Sequence, residues 1–466
     1  MYFQQFYLAC LSHASYMIGS EGVAAVVDPQ RDIGLYLDEA QQHGFTIAHV
    51  IETHLHADFV SGHRELAALT GAKIYLSAAA RAEFPHVPVH DQDEIRFGHC
   101  VLKFLETPGH SLDSVSILVT DVKRSPEPFA ILTGDTLFIG DVGRPDLSKG
   151  KDPQEMAQLL YRSLHEKLLR LPDGVEVYPT HGAGSLCGRQ LSKERSSTIG
   201  KERATNYALR AASEAEFVRL ITSELPERPG YFGLDKEINR KGAALLSEQR
   251  PLPPLRPHGL MIEQDHGAIV LDTCPDEDFA AAHVPGSIHI GLSGQFASWA
   301  GTLIGLDKDV VLIAESEQRI QEARVRLARV GIERVVAYLE DGVAGWAREG
   351  LRLESVRQIS VEELYRLRTT GAGSGQVIDV RRPNEWDDGH IPGAQLIPLH
   401  NLPAKLPELD RRSPIAVHCK SGYRSMIAVS LLQAAGFRQV YNVVGGFDAW
   451  RTCKLPEESK LRAIAS

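Results

Sequence analysis

The stretch THLHADF, residues 53–59, carries two histidines and an aspartate at alternate positions. Imidazole and carboxylate groups are ligands of transition metals, so His54, His56 and Asp58 could hold a metal ion. The residue after Asp58 is Phe59, whose phenyl ring cannot coordinate a metal. The pattern therefore indicates either a two-ion site that has lost a ligand or a one-ion site for different chemistry.

Three more candidate ligands follow apolar segments later in the chain: His110 in ETPGHSLDS, Asp135 in LTGDTLF and His181 in YPTHGAG. Each apolar segment is predicted to be a strand. Because each polar side chain stands directly after its strand, we expect all of them to project from the same edge of a sheet. The sequence thus predicts a metal site assembled from several strand ends.

A second reactive group stands in IAVHCKSGYRS, residues 415–425, where an apolar strand is followed by Cys419, a short loop and a helix. Backbone N–H groups of such a turn converge on the sulfur, and the helix adds its positive end. Lys420 and Arg424 add further positive potential. We expect these groups to stabilise an anionic persulfide on Cys419.

The elements around the first site read as alternating strands and helices. AAVVDP is a predicted buried strand, GLYLDEAQQHG a helix closed by Gly44, and IAHVIET a strand that enters the histidine loop. A helix is predicted through PQEMAQLLYRSLHEKLLRL, and a helical tract over about 192–220. The segment 248–259 contains four prolines, which predict a linker and a domain boundary.

Beyond this segment the chain repeats itself. LDTCPDEDFAAAHVPGSIHI (271–290) matches IDVRRPNEWDDGHIPGAQLI (378–397), and GIERVVAYLEDGVAGW matches GFRQVYNVVGGFDAW. The first copy has VVLIAESEQRI in place of the cysteine strand, with Glu315 or a near neighbour where the cysteine would be. Cys274 follows a different strand. We therefore predict that the first copy cannot carry sulfur and is catalytically dead.

These motifs resemble two known families. The strand-end ligands over 1–247 resemble the metallo-β-lactamase fold, and 358–455 resembles the rhodanese family through IDVR, GHIPGA, GGFDAW and the C-x4-R loop. The segment 258–353 then looks like a degenerate rhodanese domain. The resemblance implies an α/β protein: an N-terminal metallo-β-lactamase αββα sandwich followed by two rhodanese-like α/β domains.

The resemblance also suggests which metal is bound. In two-metal hydrolases of this fold the position of Phe59 is a histidine, so a double site is not expected here. The remaining set, His54, His110 and Asp135, is the two-histidine, one-carboxylate arrangement of non-haem Fe(II) enzymes. Persulfide dioxygenases of this family have such a site, which implies one Fe(II) per chain. His56, Asp58 and His181 would then orient the ligands or hydrogen-bond oxygen.

Two residues are candidates for binding the substrate. The segment GDTLFIGDVGRPDL, residues 134–147, is similar to that of the persulfide dioxygenases, and Arg144 is a candidate partner for the carboxylate of a thiol carrier such as glutathione. Cys187 lies shortly after His181 and is a candidate for holding persulfide, with plain packing as the alternative.

Composition argues against several classes of partner. The net charge of −10 argues against nucleic acid or anionic membranes, and no apolar run reaches membrane-spanning length. The chain starts without the basic and apolar segments of a secretory signal. Its six cysteines include no C-x-x-C pair, so we expect a reducing cytoplasm and no disulfide framework.

The combination of domains resembles bacterial persulfide dioxygenase–rhodanese fusions of sulfide oxidation. It implies that a low-molecular-weight persulfide is oxidised by O2 to sulfite, and that Cys419 transfers sulfur to give or consume thiosulfate. The expected partners are these small molecules, and a homo-oligomer, a dimer or tetramer, is expected. Two alternatives stay open: a zinc thiolester hydrolase of the glyoxalase II kind with an accessory sulfurtransferase, and a sulfur carrier that performs no oxidation.

Overall fold

The computed structural model describes residues 1–189, 191–223, 225, 228–370 and 375–459. By packing, the chain divides into two compact units, Met1–Arg250 with Leu327–Gly331, and Pro251–Arg326 with Ile332–Ser466. The three domain ranges 1–247, 258–353 and 358–455 stay a prediction. In the part of the chain that is described, no helix is long and apolar enough to cross a membrane.

The first sheet of the N-terminal unit has six strands in sequence order. They are β1 (Tyr2–Leu8), β2 (His13–Ser20), β3 (Val23–Val27), β4 (Thr46–Ile51), β5 (Lys73–Ser77) and β6 (Val87–Val89). Strands β1 to β3 pair antiparallel, and β3 to β6 pair parallel. The helices between them are α1 (Gly34–His43) and α2 (His63–Thr70), and Gly44 caps α1 as predicted.

The second sheet also has six strands: β7 (Glu94–Phe97), β8 (Cys100–Glu106), β9 (Val115–Asp121), β10 (Ala130–Gly134), β11 (Glu176–Pro179) and β12 (Ser197–Thr198). They lie in the order β12-β11-β10-β9-β8-β7. The helices are α3 (Pro153–Arg162), α4 (Ile199–Thr205), α5 (Glu214–Thr222) and α6 (Phe232–Lys241). Helix α3 continues as a π-helical turn over Ser163–Lys167 and a 3-10 turn over Leu168–Arg170. The predicted helix there is therefore confirmed.

The alternation of side chains along the strands builds four layers. On β3, Ala25 and Val27 join a core shared with the second sheet, whereas Ala24 and Val26 join a core with α1 and α2. A third core packs the outer face of the second sheet against α3 and α5. Strand side chains alternate between the two faces of a sheet, and here both faces are apolar. One face of each sheet packs on the other sheet, and the opposite face is covered by helices. The predicted αββα sandwich is confirmed.

The helical tract predicted over about 192–220 is wrong in its extent. The described part has the short strand β12 and two separate helices, α4 and α5. Helix α4 ends at Thr205, and the side-chain amide of the next residue, Asn206, donates to the carbonyl of Asp141. This hydrogen bond holds Asn206 in an extended conformation, and the chain leaves the helix there.

The first repeat folds as a five-stranded sheet with flanking helices. Its strands are β13 (Pro254–Leu255), β14 (Ile269–Asp272), β15 (Ile288–His289), β16 (Val310–Ile313) and β17 (Val335–Leu339). They lie in the order β13-β17-β16-β14-β15. The helices are α7 (Pro257–Asp265), α8 (Asp276–Ala281), α9 (Phe296–Leu303), α10 (Glu317–Ala328) and α11 (Gly342–Arg348).

The second repeat has the same topology. Its strands are β18 (Arg357–Ile359), β19 (Gln376–Asp379), β20 (Gln395–Leu396), β21 (Ile415–His418) and β22 (Val440–Val443), in the order β18-β22-β21-β19-β20. The helices are α12 (Val361–Thr369), α13 (Pro383–Asp388), α14 (Leu402–Lys405), α15 (Tyr423–Ala434) and α16 (Gly446–Thr452). The predicted duplication of an α/β domain is confirmed.

The proline-rich segment 248–259 is more ordered than a linker. Pro254 begins β13, an edge strand that pairs with β17, and Pro257 is the first residue of α7. An edge strand tolerates a missing N–H, and the first turn of a helix does not need one. Proline therefore starts both elements, and the linker prediction is wrong for residues 254–259.

Candidate functional site

Three strand ends bring their polar side chains together in the N-terminal unit. His54 follows β4, His110 follows β8, and Asp135 follows β10, and all three are buried. Their ligand atoms lie within 4.8 Å of one another. The Oδ2 atom of Asp135 is 3.9 Å from Nε2 of His54 and 3.5 Å from Nε2 of His110. The structure thus brings together the three side chains that the sequence singled out for the metal.

The second ring nitrogen of each histidine and one carboxylate oxygen of Asp135 have protein partners. Nδ1 of His110 lies 3.1 Å from the carbonyl of Arg144, which leaves Nε2 with its lone pair. Nδ1 of His54 lies 3.1 Å from the hydroxyl of Thr53. Asp135 accepts a hydrogen bond at Oδ1 from His181, but its buried Oδ2 has no hydrogen-bond partner among the described residues. A buried carboxylate oxygen in that state is costly unless a cation binds it, so the cluster fits a metal ion.

The charges of the three groups suit the same conclusion. Burial lowers the pKa of His54 well below its usual value and also lowers that of His110. Burial alone would raise the pKa of Asp135, but His181, His110 and His54 hold it well below its usual value. The cluster therefore presents two neutral imidazoles and one carboxylate, which are the protonation states that bind a metal.

Phe59 fills the position where a further ligand could have stood. Its ring is buried, stacks on His56 at a centroid distance of 4.4 Å, and lies 4.1 Å from His13. A phenyl ring packed between two imidazoles supplies an apolar wall on this side of the cluster. His13 is therefore a packing partner of Phe59.

His56 lies in a second buried cluster whose other members the sequence analysis missed. Its Nε2 atom is 3.2 Å from both Asp28 Oδ1 and Glu52 Oε2, and Glu52 also lies 3.2 Å from Nδ1 of His63. Burial would lower the pKa of His56, but the two carboxylates raise it to about 10. Asp28 ends the strand AAVVD and Glu52 directly precedes the histidine loop, so their position after apolar strands was the available signal.

A third buried group consists of Asp58, His181 and Cys187, whose ligand atoms also lie within 4.8 Å of one another. His181 stands between two carboxylates, at 2.9 Å from Asp135 Oδ1 and 2.8 Å from Asp58 Oδ2. Burial would lower the pKa of His181, but Asp135 and Asp58 raise it well above its usual value. His181 therefore holds Asp135 in place by a hydrogen bond at Nδ1, and Asp58 forms an ion pair with Nε2 of the same imidazole.

Cys419 stands at the end of β21, in the loop that leads into α15. The backbone N–H of Gly422 donates to its sulfur at a distance of 3.1 Å. The carbonyl of Cys419 accepts from the N–H of Phe447, and that of Lys420 from the N–H of Asp448. The loop is thus fixed from both sides, by its own glycine and by the amino end of α16.

Gly446 of the GGFDAW motif allows this close approach. It has a φ of +55°, and a Cβ atom at this position would lie 2.5 Å from the carbonyl oxygen of Cys419. Only glycine lets the start of α16 come this near to the cysteine loop. The motif therefore serves to hold the loop.

The two basic residues of the loop differ in their surroundings. Arg424 makes a two-pronged ion pair with Glu385 of α13, with N–O distances of 2.7 and 2.8 Å. Lys420 is exposed to solvent. Arg424 therefore holds the loop against α13, and Lys420 is the exposed charge of the loop.

Comparison with known proteins agrees with this geometry. A model of the metallo-beta-lactamase superfamily matches residues 8–181, and a model of the rhodanese-like domain matches 259–349 and 360–453. The bovine mitochondrial persulfide dioxygenase ETHE1 is 31% identical over 206 residues, which cover 42% of this chain and 70% of that protein. The chain belongs to the metallo-β-lactamase superfamily. It also carries two rhodanese-like domains.

Two further relatives of the superfamily differ in what they are named for. The hydroxyacylglutathione hydrolase of Methylococcus capsulatus is 31% identical over 212 residues, which cover 45% of this chain and 77% of that protein. A crystal structure of a metallo-beta-lactamase from Staphylococcus aureus is 32% identical with a TM-score of 0.64. It is matched over 72% of this chain and 98% of that one, so the similarity extends beyond the metallo-β-lactamase domain.

The two candidate substrate-binding residues of the metallo-β-lactamase domain are both enclosed. The guanidinium of Arg144 is buried and pairs with Asp146 at 2.7 and 2.8 Å, and it also donates to the carbonyl of Leu186. Burial raises the pKa of the Cys187 thiol to about 12. A substrate carboxylate would have to compete with Asp146 for the guanidinium of Arg144. Substrate binding by Arg144 and Cys187 stays a prediction.

Strand register identifies the residue that replaces the cysteine in the first rhodanese-like domain. Asp379 pairs with His418 in the second domain, and Asp272 pairs with Ile313 in the first, so Ala314 corresponds to Cys419. A Cβ on Gly342 would meet the carbonyl of Ala314, as one on Gly446 would meet that of Cys419. The predicted position, Glu315 or a near neighbour, is therefore Ala314, which has no atom that could carry sulfur.

Proposed function

We propose that the metallo-β-lactamase domain oxidises a low-molecular-weight thiol persulfide with O2, using one Fe(II) ion held by His54, His110 and Asp135. The observation that carries the proposal is the buried cluster of two imidazoles and one carboxylate with Phe59 beside it. The similarity to a persulfide dioxygenase over 70% of its length supports the same reaction.

The proposed reaction is R–S–SH + O2 + H2O giving R–SH, sulfite and two protons. The outer sulfur of the persulfide loses four electrons, and the four electrons reduce O2. Iron, when bound, supplies the redox chemistry with O2 that amino-acid side chains lack. The thiol R–SH leaves unchanged, and glutathione or another small thiol is the proposed carrier.

The side chains of the chain itself have defined parts in this proposal. His54 and His110 present Nε2 atoms whose rings are oriented by Thr53 and by the carbonyl of Arg144. His181 and Asp58 orient Asp135. The ring of Phe59 closes one side to water and to further ligands. Their common effect is a fixed, partly apolar site in which one ion keeps open positions for substrate.

The second rhodanese-like domain is proposed to transfer sulfur through Cys419. Cys419 takes the outer sulfur of R–S–SH and releases R–SH, which leaves a persulfide on Cys419. Sulfite attacks the outer sulfur of this persulfide; the S–S bond to Cys419 breaks and thiosulfate forms, leaving the Cys419 thiolate. The reverse reaction loads Cys419 from thiosulfate. The hydrogen bond from Gly422 to the sulfur and the nearby charge of Lys420 support an anionic sulfur at this position.

A zinc-dependent thiolester hydrolase of the glyoxalase II kind is the second candidate. The hydroxyacylglutathione hydrolase of Methylococcus capsulatus is as similar in sequence as the persulfide dioxygenase. The group Asp58, His181 and Cys187 could in addition hold a second ion. The third alternative, a sulfur carrier with a vestigial metal site, is opposed by the complete and buried ligand set at Asp135.

Metal analysis with an oxygen electrode tests the proposal. Protein purified without air should contain close to one iron per chain and consume O2 only when glutathione persulfide is added. Zinc as the dominant metal, with hydrolysis of S-lactoylglutathione and no O2 uptake, would establish the hydrolase instead. A metal-free protein that transfers sulfur would establish the carrier. The predicted dimer or tetramer stays a prediction.

His56→Ala is expected to reduce O2 uptake by about 10–100-fold while iron stays bound, since a residue that only supports the ligands costs this much. The physical reason is that Nε2 of His56 faces Asp28 and Glu52 rather than Asp135. The measurement is iron content together with O2 uptake. If this variant loses iron as completely as His54→Ala, His56 is a ligand and the one-ion assignment is wrong.

A further inference from the structure

The helix that begins at the cysteine loop is contacted by the first rhodanese-like domain. Both domains lie in the same compact unit, and β15 with the loop after it, residues 288–294, runs along α15. The N–H of His289 donates to the hydroxyl of Ser430 at 2.9 Å, and the hydroxyl of Tyr423 donates to the carbonyl of Gly291 at 3.0 Å. Tyr423 and Ser430 are seven residues apart, so they share one face of the helix.

Tyr423 is the residue that connects this interface to Cys419. It directly follows Gly422, whose N–H donates to the Cys419 sulfur, and it is the first residue of α15. The position of its backbone therefore constrains Gly422, the residue directly before it, whose N–H donates to the sulfur. The amino end of α15 also supplies the positive end of the helix dipole to the loop.

The surroundings of the Tyr423 ring are shaped to receive it. Gly294 has a φ of +62°, and a Cβ there would lie 3.4 Å from the ring. Burial raises the pKa of the Tyr423 hydroxyl, so it stays protonated and able to donate. The ring and the hydroxyl are thus both held by the first rhodanese-like domain.

We propose that the first rhodanese-like domain, which has lost its own cysteine, positions the Cys419 loop of the second through the hydrogen bond from Tyr423 to Gly291. Tyr423 is then a positioning residue, and the role of the degenerate copy is to keep the Gly422 N–H on the sulfur. The inference rests on the proposed sulfur transfer only for its biological meaning, since the geometry of the loop can be measured without transfer.

Tyr423→Phe in the full-length protein tests this, because it removes the hydroxyl and keeps the ring. The rate of Cys419 alkylation by iodoacetamide, followed on its peptide by mass spectrometry, is measured against pH. We expect the midpoint of the alkylation rate against pH to rise by about 0.7 pH units, and the alkylation rate below that midpoint to fall about five-fold. This is the size of effect expected when the net contribution of one hydrogen bond is lost. Thiosulfate to cyanide transfer should lose kcat with little change in KM.

Two variants make the outcome decisive. Ser430→Ala removes the second contact and should shift the midpoint in the same direction by less, which keeps the test valid if Tyr423→Phe folds poorly. Tyr365→Phe, at an exposed position of α12, should leave the profile unchanged. Alkylation profiles of Tyr423→Phe and Ser430→Ala equal to that of the parent, even with lowered thermal stability, would overturn the proposal. Absent sulfur transfer in the parent would contradict the proposed function instead.

Discussion

Cys419→Ser should abolish sulfur transfer while persulfide-dependent O2 uptake continues. Serine keeps the size of the side chain but cannot form a persulfide, and loss of a nucleophile costs about three orders of magnitude or more in rate. The metal cluster lies in the other compact unit, so its ligands are untouched by the substitution. The product should change as a result: sulfite should accumulate where the parent protein gives thiosulfate.

A product assay with excess glutathione persulfide in air checks this expectation. Cys453→Ser is the matched control, because Cys453 is an exposed cysteine of the same domain and should not matter. Undiminished thiosulfate from Cys419→Ser, above the chemical reaction of sulfite with persulfide, would show that Cys419 is not the carrier. Loss of O2 uptake would show that the rhodanese-like domain supplies the metal site with its substrate.

Asp135→Ala should remove both the iron and the O2 uptake. Asp135 is the single carboxylate of the proposed iron set, its Oδ2 is buried without a hydrogen-bond partner among the described residues, and the two imidazoles alone are a poor site for iron. Removal of a residue that only supports the ligands costs about 10–100-fold in metal affinity, and Asp135→Ala should cost more than this. Sulfur transfer from thiosulfate to cyanide at Cys419 should continue at the parent rate.

Iron content and both activities are measured on the same preparation. Asp38→Ala removes an exposed carboxylate of α1 and should change none of them. Full iron content and near-normal O2 uptake in Asp135→Ala would contradict the proposed ligand set. Together with His56→Ala, which is expected to keep its iron, the pair separates ligands from the residues that orient them.

The sequence by itself determined the fold class and the chemical groups of both sites. The spacing of His54, His56 and Asp58, the later strand ends at His110 and Asp135, and the C-x4-R loop at Cys419 are local features. Each consists of an apolar strand followed by a polar residue, and such a strand can be recognised from the hydrophobic pattern of the sequence. The duplication was equally readable, because the two copies keep the same anchors in the same order.

Tertiary structure decided which way the side chains face and what holds them. His56 turns to Asp28 and Glu52, Arg424 pairs with Glu385, and Arg144 pairs with Asp146. These partners come from other elements or from a turn of the loop, so no spacing rule predicts them. Which partner each of these charged side chains finds depends on how the whole domain packs.

Two further points were accessible only from the assembled sheets. Strand register places Ala314 at the position of Cys419, where the sequence allowed Glu315 or a neighbour. The contact of Tyr423 with Gly291 joins residues 132 positions apart and gives the degenerate copy a place beside the reactive loop. The local sequence encodes the reactive groups and the strands. Contacts between residues far apart in the sequence follow from how those strands pair and pack, and these contacts set the orientation of each reactive group.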